Sequence, residues 1–250
     1  MLATTFLPLM VGFMLVLVRC TSLFMVAPVF SAKTIPALVR MGFAVPIAVA
    51  VFAGAGSPTF PGWESVPKLI PAVVMELIIG LGAGLSARFA IEATTAAGSA
   101  IAMAMGISFG SVIDPLHGAE SSAIGDLLSF VTMAVALATG LHRDAVVWLC
   151  RSVKETPPGS DFSVATIATR VIADGTASFA LAVRLAFPVL AAVTLGHLGL
   201  GLLNRAAPQL NLSNVGYTLA LLAGGTAFYL VAPGAALLAA QAARTAFAGR

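Results

Sequence analysis

Apolar residues in this chain fall into long blocks rather than into the alternation of a half-buried sheet. The blocks cover about residues 3–30, 41–56, 69–90, 93–113, 123–141, 177–203 and 214–243. A helix needs about 20 apolar residues to cross a bilayer. Blocks 3–30, 69–90, 177–203 and 214–243 meet that length, and 41–56 and 123–141 lie near its lower bound. An isolated strand cannot satisfy its backbone polar groups in lipid, so the pattern predicts an all-α, polytopic helical membrane-type protein. Pro28 interrupts the first block late. A Gly/Pro-rich stretch, AGAGSPTFPGWESVPK, separates the second from the third. The polar stretch LHRDAVVWLCRSVKETPPGSDF reads as a loop whose turn is marked by Pro157, Pro158 and Gly159.

Block 93–113 stands apart. Ile101, Met103, Met105, Ile107 and Phe109 alternate with Ala102, Ala104, Gly106, Ser108 and Gly110, a strand-like period of two in a charge-free segment. The expectation is a segment surrounded by protein that ends in irregular backbone over 106–115, as re-entrant stretches do.

Composition sharpens this picture. Of 250 residues, 59% are hydrophobic and 9% are charged, against roughly 25% charged in soluble domains. Mean hydropathy is +1.02. A net charge of +3 comes from scattered Lys and Arg, with no basic run able to neutralise adjacent phosphates, so nucleic acid is not an expected partner. Cys20 and Cys150 lack metal or redox spacing and read as small buried side chains. The first block has no basic start and runs too long for a cleaved signal, so it is expected to be retained. If 69–90 and 93–113 cross separately, Lys33, Arg40, Arg88, Arg143, Arg151, Lys154, Arg170, Arg244 and Arg250 share one side against Lys68 and Arg205. That count favours crossing, with a cytoplasmic C-terminus; if 93–113 is re-entrant, the asymmetry reverses.

Five charges sit within or at the edges of apolar blocks: Arg19, Glu76, Arg88, Asp126 and Arg184. Charge in a membrane interior is costly, so these are expected to be buried and paired across helices, or else to line a wet path. Glu76 and Arg88 are too far apart to pair along one helix, and their partners belong to other segments. Gly80, Gly84, Gly106 and Gly110 have the spacing that lets helix backbones approach closely. The string 106–110, GISFG, also matches the GxSxG nucleophile elbow, and with His197 as base it allows an intramembrane serine protease using Ser108. A small-solute transporter is a second alternative, though no inverted hydropathy repeat stands out. No metal, phosphate or dinucleotide motif is present, so neither cofactor nor catalytic residue is expected.

Four stretches, 28–44, 76–115, 140–158 and 199–216, cover more than a third of the chain and resemble the FliR/SctT family of flagellar and injectisome export proteins. The most specific is GLGLLNRAAPQLNLSNVG, with LLNRAAPQL set between two apolar blocks. The resemblance implies a type III protein-export gate subunit of the flagellar branch, in the bacterial inner membrane at the flagellar basal body. It implies a FliP-like part over about 1–160 and a FliQ-like hairpin over about 161–250. Implied partners are FliP-like and FliQ-like gate subunits, FlhB-like and FlhA-like export components, and unfolded export substrates. It further implies a plug over 103–115, assigned here to Met103, Met105, Gly106, Ser108, Phe109, Gly110, Val112, Asp114 and Pro115. Val112 departs from the aromatic that the family often carries at that place. Gly80, Gly84, Asn204, Arg205, Pro208 and Gln209 are implied in subunit assembly. In such complexes much of the protein lies above the bilayer plane, where loop charges no longer report topology.

Overall fold

A computed structural model describes residues 2–30, 36–60, 66–107, 122–160, 163–206 and 213–248. Among the described residues all regular structure is helical. The helices are α1 (Leu2–Val26), α2 (Ala37–Gly54), α3 (Val66–Ala104), α4 (Ala123–Ala138), α5 (Leu141–Glu155), α6 (Val164–Ala206) and α7 (Ser213–Ala248). Phe6–Val26, Pro67–Ala104, Val164–Ala206 and Gly216–Ala248 are long and apolar enough to cross a membrane, and α4 with α5 forms a fifth candidate bent by 61°.

Prolines 8, 46, 71, 188 and 233 lie inside helices. Membrane helices accommodate them because Ser and Thr side chains and local adjustments satisfy the freed groups. Helical hydroxyls turn inward in the same way. Thr21 donates to the Leu17 and Val18 carbonyls, Thr132 to Leu128 and Thr194 to Leu190, so no hydroxyl of these three is carried bare into an apolar setting.

The structure bears on three readings of the sequence. Block 69–90 and residues 93–104 of the next block lie on one continuous 39-residue helix, α3. The two therefore cannot cross separately, and the charge count that assumed it does not hold. The alternation over 101–105 is helical: α3 runs to Ala104, and Gly106 (φ 77°) closes it. There Ile107 N–H donates to the Ala102 carbonyl at 3.0 Å and Gly106 N–H to Met103 at 3.1 Å, the two bonds of a Schellman cap. Alternating large and small residues place large side chains on several sides of a helix, which mimics a strand's period. Thirdly, most of the polar stretch read as a loop is α5, whose Leu141, Ala145, Leu149, Ser152 and Val153 are buried. Its four-residue apolar spacing is hidden among the charges.

The chain divides into two compact units. The first comprises 1–89, 136–176 and 242–250. In it α1 and α2 pack together, with Phe13 edge-on to Phe52 at 5.5 Å, and Leu15, Phe60 and Ala72 form a small core. The second comprises 90–135 and 177–241. Its core joins Ala97 and Ile101 of α3, Met105 just past its end, Leu128 of α4, Leu185, Val189 and Val193 of α6, and Ala220, Ala235 and Ala239 of α7.

Candidate functional site

In the first unit, α1 carries Arg19 at 0% exposure and α3 carries Glu76 at 1%. Their side chains form a two-pronged pair, Nε to Oε2 at 2.5 Å and Nη2 to Oε1 at 2.9 Å. The remaining donors of the guanidinium reach the C-terminal end of α5. Nη1 donates to Ser152 Oγ at 2.9 Å and Thr156 Oγ1 at 3.2 Å, and Nη2 donates to the Thr156 carbonyl at 2.9 Å. All five N–H groups of Arg19 are thus used, and a planar fork is the side chain that can do it. Thr156 Oγ1 donates in turn to the Ser152 carbonyl at 2.7 Å. A positive group at a helix C-terminus also complements the helix dipole. Burying two charges is tolerable here because every hydrogen-bonding group of the cation has a partner.

The helices come close enough for this pair because glycines follow Glu76. A Cβ on Gly80 would meet Ser22 Oγ at 1.9 Å and the Arg19 carbonyl at 2.5 Å, and one on Gly84 would meet Ala27 N and the Leu23 carbonyl at 3.2 Å. Gly80 and Gly84, implied in subunit assembly, therefore seat α3 on α1 of the same chain. Beside the network lies a cavity of about 360 Å³ between α3, α5 and α6, where Ser152 and Thr156 meet Arg151, Glu155, Arg170 and Asp174. α5 is also tied to the end of α7: Arg244 Nε lies 2.6 Å from Asp144 Oδ2, Arg151 donates to the Ala248 carbonyl, and the Trp148 ring lies 6.3 Å from that of Phe247, tilted by 54°. Sequence reading missed Ser152, Thr156 and Asp144, because they lie in the stretch whose charges suggest a loop. The spacing Leu141, Ala145, Leu149, Val153 is the signal that could have found them.

The second unit holds what is described of the expected plug. Met105 is buried at 4% exposure and Met103 is 66% exposed, so the two methionines take opposite environments. Met105 fills the notch left by Gly224 of α7, where a Cβ would meet its Cγ at 2.6 Å. α3 and α4 are pressed together where Gly98 faces Gly125. Ser108, Phe109, Gly110, Val112, Asp114 and Pro115 lie outside the described residues, as do Pro208 and Gln209. Asn204 and Arg205 are exposed in the last turn of α6.

Of the five charges expected to be buried, Arg88, Asp126 and Arg184 are exposed on this chain. The reason for Arg184 is legible: α6 is longer than the block 177–203, and Arg184 and Arg205 bracket its charge-free run. The protease arrangement lacks its setting. Gly106 follows a helix and caps it, where an elbow needs a preceding strand, and His197 is exposed on α6. Among the described residues no cluster of three or more His, Cys, Asp or Glu side chains is placed to hold a metal ion.

Comparison with known proteins places this architecture. The profile of the family described as bacterial export proteins, family 1, matches residues 10–246. Flagellar biosynthetic protein FliR of Bacillus subtilis (strain 168) is 31% identical over 211 residues, 83% of this chain and 81% of that protein. FliR of Escherichia coli (strain K12) is 27% identical, covering 83% and 79% of the two chains. FliR of Caulobacter vibrioides is 28% identical, covering 90% and 89%.

Proposed function

The chain belongs to the bacterial export proteins, family 1, as a membrane-embedded subunit of the flagellar type III export apparatus, and within that role we propose that it completes a plugged, protein-lined export gate. Residues 1–160 act as the FliP-like part and 161–250 as the FliQ-like hairpin, with FliP-like and FliQ-like subunits beside them. FlhB-like and FlhA-like components engage the assembly, and unfolded export substrates pass through it. The plug comprises Met103 to Pro115, and the turn from Asn204 to Gln209 docks on a neighbouring subunit. The site is the bacterial inner membrane at the flagellar basal body, and no residue is assigned a catalytic role.

One observation carries this reading. α6 has 43 residues and α7 has 36, which at about 1.5 Å per residue is roughly 64 and 54 Å of helix. A bilayer core is about 30 Å thick. Yet α6 exposes Ile172, Phe179, Val183, Phe187, Leu195 and Leu202 along most of its length. Lipid cannot cover an apolar face so much longer than itself, and other apolar helices can.

The test is to purify the tagged chain in mild detergent after co-expression with its genomic neighbours, and to weigh the product by native mass spectrometry. One copy of this chain with several copies of two other small hydrophobic proteins is the expected result. A lone monomer or homodimer would overturn the gate.

A further inference from the structure

α4 ends at Ala138, and Gly140, at φ 95°, bends the chain by 61° into α5. The character of the chain changes at that bend. α4 carries one charge, Asp126 in its first turn, while α5 is amphipathic. Its buried side is taken by Leu141, Ala145, Leu149 and Val153. Arg143, Val147, Arg151 and Lys154 are exposed. Their spacing of four, four and three residues puts them on one side of a helix. Asp144, which flanks this stripe, is already paired with Arg244. Arg151 gives one donor to the Ala248 carbonyl. Glu155 lies at the edge of the stripe, about 80° around the helix from Val147.

Amphipathic helices that lie in a membrane surface combine basic residues with an apolar body, and each Lys or Arg near an anionic leaflet adds to the attraction. Here the basic helix follows directly on an apolar one, its stripe includes an exposed apolar residue, and Trp148 stands half-buried at its flank. We propose that the Arg143, Arg151, Lys154 stripe of α5 binds the headgroups of anionic phospholipids and fixes α5 in the plane of the membrane surface. The proposal rests on the membrane placement of the chain and not on its gate partners.

Trp148 gives a direct readout, since Trp63→Phe leaves it the only tryptophan of the two. The full chain carrying that change is reconstituted into vesicles of phosphatidylcholine and phosphatidylglycerol, with bromine placed high in the acyl chains of one lipid at a time. Brominated phosphatidylglycerol is expected to quench Trp148 about twofold more than brominated phosphatidylcholine at equal fraction. The preference should vanish in Arg143→Gln/Arg151→Gln/Lys154→Gln and fall in high salt. Equal quenching by both lipids in the unsubstituted stripe overturns the proposal. So does an absence of quenching together with loss of co-purifying subunits in the triple variant, which assigns the stripe to an acidic protein partner. Failure of the chain to float with vesicles at all would overturn the membrane placement itself, a result distinct from either.

Discussion

At the scale of single residues, the Arg19–Glu76 pair decides whether the first unit holds together. Removing one partner leaves the other buried and uncompensated, which costs about 3–5 kcal/mol. Replacing both by apolar residues of similar volume removes the desolvation penalty as well. Arg19→Met and Glu76→Leu should therefore each collapse the yield and lower the midpoint of thermal unfolding in detergent. The double variant should recover much of the loss. Arg19→Lys should fail nearly as badly as Arg19→Met, because three donors on a flexible stem cannot replace five in a fork that reaches Glu76, Ser152 and Thr156. If the Arg19→Lys variant unfolded at the wild-type temperature, the pair would be simple charge compensation and the hydrogen bonds to α5 would be incidental.

At the scale of elements, α3 is bounded by chemistry that can be tested at its end. Gly106 sits at φ 77° to close the Schellman cap, a conformation costing other residues about 1 kcal/mol or more. Gly106→Ala should lower stability by about that amount, and Gly106→Asn by less, because Asn visits the left-handed region more readily. Unfolding curves of the two variants check the order, and equal losses would remove the cap from the account. The helices themselves were legible in the sequence because long apolar blocks in lipid leave the backbone no other solution. Their bounds were less so. Arg88, near the end of block 69–90, and Glu92, between it and block 93–113, read as a boundary, yet both are exposed side chains on an unbroken helix. α5 was hidden for the converse reason: its charges suggest a loop, and an amphipathic helix in an apolar protein is found only by its four-residue spacing. Arg19 and Glu76 stand out in the sequence as charges out of place, but which groups they meet is set by three helices distant in sequence, and no local pattern holds that information.

At the scale of the whole molecule, α6 tests how a protein with helices longer than a bilayer is arranged. Within it the run 185–204 carries no charge, lies between Arg184 and Arg205, and has the length that one crossing needs, about 20 residues. The stretch before it contains Arg170 and Asp174, which a hydrocarbon core would disfavour. The helix is therefore expected to sit with 185–204 in an apolar surround and its first third in water or against polar protein. In a chain with Cys20→Ala and Cys150→Ala, Thr169→Cys should react quickly with a membrane-impermeant maleimide, from one side of the membrane only. Leu195→Cys, exposed on this chain at 68%, should stay unreactive from both sides when its partner subunits are present. Rapid labelling at Leu195 in the assembled complex would place that face on water, making it a wall of the conduit rather than a contact with lipid or a neighbouring helix. If Thr169 were silent and Leu195 silent too, apolar cover would extend along the whole helix, and the partner helices would have to be as long as α6 itself.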